Sequence, residues 1–386
     1  MSITFPFILD GATGTELQKR GFNGDTATET WVLEHPDKLK EIQAGYAAAG
    51  SNVVYAPTFA ANRLKLKEHA IDMPVSELVP KLVEISREAV GGKSMVAGDL
   101  SPLGKFLPPI GDMSFEEMYD VYLEQVKSLE EAGVDFYAVE TLMSVPEAKA
   151  AVLAIKEVSD KPIFVTFTCD VNGKTMTGTD VCAALVIFQD LGVDAFGLNC
   201  STGPKEMAKQ FERLKEFAAI PLIAKPNAGL PKVKDGKTYY DCTPEDFVAY
   251  VKEMAACGVK IFGGCCGTTP EHIKALSEAV KDLEMADPAP SHEDEIVLAT
   301  EKEVFVLSKE DLKDICPVEI TEDFEDDLSD ALEEDNALLG IEIKSEEYIK
   351  ILEETQYLIT KPVCVKAASE ELLNAALRVY QGKAIY

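Results

Sequence analysis

Four segments of the sequence share one layout, and that layout restricts the possible folds more than any other feature. In AAAGSNVVYAPT (47–58), EEAGVDFYAVET (130–141), QDLGVDAFGLNC (189–200) and AACGVKIFGGCC (255–266), a helix-like stretch ends at a glycine and an apolar run follows at once. Gly50, Gly133, Gly192 and Gly258 stand where a helix C-terminus calls for a left-handed residue. The apolar runs belong to a set of eight: FILDGA (7–12), NVVYAPT (52–58), SMVAGDL (94–100), FYAVETL (136–142), PIFVTFT (162–168), AFGLNC (195–200), PLIAKPN (221–227) and KIFGGCC (260–266). They are continuously apolar rather than alternating, as parallel strands covered by helices should be. Between them lie helical patterns. Pro36 opens one that sets Leu39, Ile42 and Tyr46 on a single face, Ser114 and Glu117 make a capping box, and Thr-Pro pairs open TPEDFVAYVKEMAACG and TPEHIKALSEAV. Eight strand–helix units in strict order predict an α/β chain folded as a (β/α)8, or TIM, barrel; a doubly wound open sheet fits them less well.

The repeat also predicts a register. Seven and eight residues after the four glycines come Pro57 and Thr58, Glu140 and Thr141, Asn199 and Cys200, and Cys265 and Cys266. These fall at the ends of strands 2, 4, 6 and 8. Alternate strands of such a barrel contribute side chains to one layer, and active sites of the fold lie at the C-terminal mouth. A carboxylate and three thiols are therefore expected near one level of the mouth.

The chain has 386 residues, more than the roughly 250 a barrel needs. The pattern ends near Leu283, and residues 286–295 (ADPAPSHEDE) read as a linker. The expected division is a barrel over 1–285, this linker, and a small α/β region over 296–386, with strand-like EIVLAT, EVFVLS, PVEIT, ALLGIEIK and PVCVKA among helical stretches. Net charge is −30, and residues 291–386 supply −16 of it with 25 acidic and 9 basic residues. Such a surface repels nucleic acid and anionic membranes. The acidic region reads as a solvated face, or alternatively as a docking surface for a basic partner. The start, MSITFPFILDG, has no basic segment followed by a long apolar run, and no stretch has the length of a membrane span. Nine cysteines, an odd number, argue against a disulfide framework and for a reducing, cytoplasmic setting.

In that setting a cysteine at a strand end is most often packing. Three of them at equivalent ends of alternate strands, in GLNCSTGP and GGCCGTTP and beside glycines that permit close backbone approach, point instead to a metal. Zinc favours thiolate ligands, and three protein ligands leave one position for substrate. Three thiolates on a divalent cation carry a net negative charge, which suits holding a further thiolate as nucleophile better than activating water. None of the four histidines stands in a strand-end motif.

LDGATGTEL (9–17), TFAANRLKL (58–66), GDLSPLG (98–104), VETLMS (139–144), GLNCSTGP (197–204), KPNAGLP (225–231) and FGGCCGTTPEHI (262–273) together resemble the homocysteine S-methyltransferase family. The likeness is greatest to the N-terminal homocysteine-binding barrel of cobalamin-dependent methionine synthases. It implies that Cys200, Cys265 and Cys266 ligate Zn2+, and that Asp10 and Glu140 accept hydrogen bonds from the ammonium of homocysteine. Thr141 and Asn199 are expected among the substrate contacts. Asn227 is expected to occupy or guard the open zinc position, and the backbone N–H groups of Gly11, Ala12, Thr13 and Gly14 to bind the substrate carboxylate. By its position alone, Asp10 also reads as a turn aspartate. A carboxylate such as Glu140, closing an apolar strand, is costly to bury unpaired.

A corrinoid-binding D-x-H-x-x-G pattern is missing, because Leu33, Lys67, Pro270 and Pro290 stand two residues before the four histidines. A full folate-binding barrel does not fit after residue 290. The segment KPVCVKAASEELLNAALRVYQGKAIY resembles a short piece of one, so the C-terminal region reads as a shortened remnant, and the rest of it departs from the pattern. The methyl donor is therefore expected from outside: a methylated corrinoid protein, a sulfonium such as S-methylmethionine, or a quaternary amine. Two other readings stand beside a methyltransferase that makes methionine. One is a homocysteine-binding subunit that works only with a separate methyl carrier, and the other is a non-catalytic zinc-binding scaffold.

Overall fold

The computed structural model describes residues 3–234, 237–292 and 294–386; Met1, Ser2, Asp235, Gly236 and Glu293 lie outside them. All eight apolar runs form strands: β1 (Phe7–Ile8), β2 (Val53–Tyr55), β3 (Met95–Leu100), β4 (Phe136–Leu142), β5 (Ile163–Phe167), β6 (Ala195–Asn199), β7 (Leu222–Lys225) and β8 (Val259–Phe262). They make one parallel sheet in the order β1-β8-β7-β6-β5-β4-β3-β2, nearly closed as a (β/α)8 barrel. Side chains help to close the seam between β1 and β2. Asn52 donates its N–H to Ile8 O (2.7 Å) and accepts the Ile8 N–H on Oδ1 (2.6 Å), while Asp10 Oδ2 accepts the Tyr55 N–H (2.8 Å).

The barrel interior is a packed plug. Phe7, Phe136 and Phe164 lie with ring centroids 4.7–6.1 Å apart, together with Leu9, Val53, Tyr55, Ile223 and Ile261. These residues come from alternate positions of each strand, so the next inward positions, Asp99, Glu140, Asn199 and Lys225, rise above the plug toward the mouth. The predicted glycine stops hold, with φ of 106° at Gly50, 73° at Gly133, 71° at Gly192 and 91° at Gly258. The capping box at Ser114 and Glu117 is formed, and Leu39, Ile42 and Tyr46 are buried. One expectation needs correction: 243–258 is not one helix. It breaks into Pro244–Phe247 and Val251–Ala256, joined by a turn, and Phe247 and Val251 are both buried.

The C-terminal region contains every expected strand. An antiparallel pair, β9 (Ile296–Ala299) and β10 (Val304–Leu307), precedes a parallel sheet of β11 (Ile315–Glu319), β12 (Leu338–Ile343) and β13 (Val363–Ala367) in that order. It packs on the barrel. The helix Val181–Asp190 is apolar all round and buried from Val181 to Phe188, because β9 and β10 cover the side that the barrel does not. The 286–295 segment runs along the barrel: Ser291 donates its N–H to Glu216 O (2.9 Å), and the His292 ring stacks on Phe217. Among the described residues, no helix is long and apolar enough to cross a membrane.

Candidate metal and substrate site

The three cysteines meet. Their sulfurs all lie within 4.8 Å of one another, with Cys200 Sγ 3.9 Å from Cys266 Sγ. Local backbone explains how. Cys200 and Ser201 hold φ of 59° and 52°, which turns the chain sharply at the end of β6. Just after β8, the glycines before the cysteine pair allow the backbone to pass close to its neighbours. A Cβ on Gly263 would lie 2.7 Å from Leu9 Cβ, and one on Gly264 2.5 Å from the Thr268 hydroxyl.

The trio shares its protons unevenly. Thiol hydrogen bonds from Cys265 and then Cys266 bring the Cys200 thiol down to about 3, while the bond to Cys200 pushes the Cys266 thiol up to about 11. The donor set fits a tetrahedral zinc. Zn–S bonds of about 2.3 Å place sulfurs about 3.8 Å apart, close to the separation seen. Asn227 is buried near Cys200, and among the described residues its Oδ1 has no hydrogen-bond partner. A buried amide oxygen without a donor is rare, and a nearby cation or ligand donor would satisfy it.

The sulfurs border a cavity of about 300 Å³ whose lining includes Asp10, Gly11, Ala12, Thr13, Gly14, Tyr55, Asp99, Glu140, Thr141 and Lys225. Asn199 borders it through its partners. Its Oδ1 accepts the Thr141 N–H (2.9 Å), its Nδ2 donates to Thr141 Oγ1 (2.8 Å), and that Nδ2 lies 3.9 Å from Cys265 Sγ. This clamp holds Thr141 at φ 64°, a left-handed conformation that is unfavourable for a β-branched residue. In the glycine-rich turn the structure amends the expectation: the Ala12 N–H is already spent on Thr268 Oγ1 (3.0 Å).

The cavity floor holds a partner that the expectation lacked. Lys225 Nζ donates to Glu140 Oε2 at 2.8 Å. The same ammonium lies 3.7 Å from Asp10 Oδ1 and 3.9 Å from the Tyr55 ring centroid. Burial opposes the charge on Lys225, yet Glu140 and the groups beside it outweigh that and hold its pKa well above the ordinary lysine value. Burial pushes Asp10 up to about 6 despite Lys225, and raises Asp99 well above the carboxylate range with help from the Glu140 charge. Lys225, Asp99 and Tyr55 are the residues that the sequence reading missed. A signal for two of them was present: a charged residue closing an apolar strand, as in VAGDL and LIAK, carries the same burial cost that singled out Glu140.

The homocysteine S-methyltransferase family profile matches residues 7–280. The methionine synthase of Mycobacterium tuberculosis is 33% identical over 304 residues, which cover 74% of this chain and 25% of that protein. The methionine synthase of Mycobacterium leprae is also 33% identical, over 70% of this chain and 24% of its own length. The chain thus spans about a quarter of these curated relatives. Among solved structures, the homocysteine methyltransferase MmuM from Escherichia coli in its metallated form superposes with a TM-score of 0.61 at 25% identity, covering 70% of this chain and 95% of that one. The match over nearly the whole barrel, on a scaffold that brings the three cysteines together, establishes that this chain belongs to the homocysteine S-methyltransferase family.

Proposed function

We propose that this chain is a zinc-dependent methyltransferase that binds homocysteine as a thiolate and accepts a methyl group on its sulfur, forming methionine. The observation that carries the reading is the convergence of Cys200, Cys265 and Cys266 on one edge of a cavity whose floor is lined with carboxylates. Cys200, Cys265 and Cys266 would hold the zinc. When bound, zinc supplies a Lewis acid that keeps an incoming thiol deprotonated and nucleophilic near neutral pH.

The chain's own residues do the rest. Acidic groups at the floor attract the substrate ammonium, and the glycine-rich turn at Gly11, Thr13 and Gly14 borders the place left for its carboxylate. Asn199 and Asn227 orient the ends of β6 and β7 around the sulfurs. The methyl group leaves its donor as a new S–CH3 bond forms on the substrate sulfur. The donor is supplied from outside residues 1–386, as a methylated corrinoid protein, S-methylmethionine or a similar compound. On this reading residues 1–285 form the homocysteine-binding barrel, 286–295 a connector and 296–386 a C-terminal α/β region.

Purified protein is expected to hold about one zinc per chain, and Cys200→Ser, Cys265→Ser or Cys266→Ser each to lower that sharply by metal analysis. Full zinc in all three variants would remove the basis of the proposal. Zinc-loaded protein given homocysteine and each donor class should yield methionine. Turnover with a sulfonium marks a self-sufficient enzyme, turnover only with a methylated corrinoid protein marks a subunit, and binding without turnover on any donor marks a scaffold.

A further inference from the structure

Within that reading, the C-terminal region has a task at the mouth of the barrel. We propose that Lys302, in the turn between β9 and β10, is a positioning residue for methyl transfer. It fixes the 173–180 segment and so shapes the side of the site from which a methyl donor meets the substrate sulfur. The inference rests on the methyltransferase reading above.

The 173–180 segment follows β5 and forms a small hairpin. Thr175 donates its N–H to Thr179 O (2.9 Å), and Gly178 completes the turn at φ 89°. Thr177 Oγ1 donates to Met143 O (2.8 Å), just past the end of β4. Asp180 Oδ2 accepts from Arg213 (2.6 Å), while its Oδ1 caps the helix Val181–Asp190. The C-terminal region adds a clasp. Lys302 Nζ donates to Thr177 O (2.6 Å), and Lys302 O accepts the Asp180 N–H (3.1 Å). One residue thus grips the hairpin at its turn and at its end, across 125 positions of sequence. Its stem passes over Gly178, where a Cβ would lie 4.0 Å from Lys302 Cδ.

This hairpin borders the sulfur site. Lys174 and Met176 line a groove of about 480 Å³ together with Met143, Leu230, Ser201 and Thr202. Ser201 and Thr202 directly follow Cys200, which itself lines the homocysteine cavity. The cysteine edge therefore lies between cavity and groove. Thr168 stitches the two together: its N–H donates to Leu142 O (2.9 Å), and its hydroxyl meets that of Ser201. The cavity floor is buried and charged, whereas the groove carries apolar side chains, with Met176 and Leu230 exposed. A thiolate held at the cysteine edge meets its donor on the groove side. There it supplies the electron pair of the new S–CH3 bond, and the donor's leaving atom keeps the pair of the bond that breaks.

The test uses zinc-loaded protein with S-methylmethionine and methylcobalamin as separate methyl donors. Lys302→Met removes the ammonium and keeps a stem over Gly178; Lys302→Arg keeps a charged donor. Lys302→Met is expected to raise the KM of the donor roughly three- to tenfold, the worth of a partly exposed charged hydrogen bond. Its kcat, its zinc content and its calorimetric affinity for homocysteine should stay at the wild-type values, and Lys302→Arg should recover most of the loss. Thr177→Val, which cuts the bond to Met143 O, should shift the donor KM in the same direction. An unchanged donor KM, or a loss of homocysteine affinity in parallel with it, overturns the inference, since a merely structural residue would not separate the two substrates. If the wild type binds zinc and homocysteine but makes methionine from neither donor, the inference falls and the zinc and homocysteine site stands. If it binds neither, the functional reading fails as well.

Discussion

At the residue scale, the site depends on a few side chains that hold strained backbone in place. Asn199 is the clearest. Its amide satisfies both the N–H and the hydroxyl of Thr141 across 58 positions of sequence and stabilises a left-handed threonine next to Glu140. Asn199→Ala leaves the Thr141 N–H without its acceptor, at a cost of about 1–3 kcal/mol. Urea unfolding of the variant should show that loss in the midpoint with an unchanged slope. Homocysteine affinity should fall with it, because the end of β4 carries Glu140 as well as Thr141.

At the element scale, a buried lysine is one of the contacts that fasten the C-terminal region to the barrel. Lys149, on the helix Val145–Val158, is 3% exposed and donates to Leu377 O and Tyr380 O, both at 2.6 Å, at the end of the helix Glu370–Val379. These are carbonyls that a helix C-terminus leaves without intrahelical donors. Around this contact, Arg378 pairs with Glu116 and lies over the Tyr119 ring, and Glu353 accepts the Phe115 N–H. Burial lowers the Lys149 pKa to about 7. A depressed pKa contributes stability that is present above the unfolded value of 10.5 and is lost as pH falls toward about 7. The stability of the wild type relative to Lys149→Met is therefore expected to rise with pH between about 7 and 10, by up to about 1.4 kcal/mol per pH unit. Denaturant titrations of both proteins across that interval check the sign. A gap that narrows with rising pH would contradict it.

At the scale of the whole molecule, barrel and C-terminal region share a core. The helix Val181–Asp190 has no polar face to show to water once β9 and β10 are removed. A chain ended after residue 285 is expected to uncover the side of this helix turned away from Phe167 and Phe196, on which Phe188 packs, at roughly 1.5–3 kcal/mol for each large side chain fully uncovered. Such a protein should melt at a lower temperature and bind a dye for exposed apolar surface. If it melted as the full chain does, the packing of β9 and β10 on this helix would be energetically idle.

The sequence by itself determined the order of strands and helices, the glycine stops, and the level at which Glu140, Asn199 and Cys265 sit. Each of these follows from short-range rules: a helix ends where glycine accepts a left-handed turn, and a strand alternates its side chains with a period of two. The meeting of the three cysteines follows from that register because alternate strands face one layer. Tertiary structure alone decided which buried charges pair. Lys225 and Glu140 lie 85 residues apart, and whether that lysine neutralises Glu140, Asp10 or Asp99 depends on how the strands stagger around the barrel. The same holds for the β1–β2 seam, which Asn52 and Asp10 help to close with side chains, and for Lys149, whose two acceptors lie at the far end of the chain. Local preference places a residue on a face; only the closed fold brings to that face the partner whose charge or hydrogen bond offsets the cost of burying it.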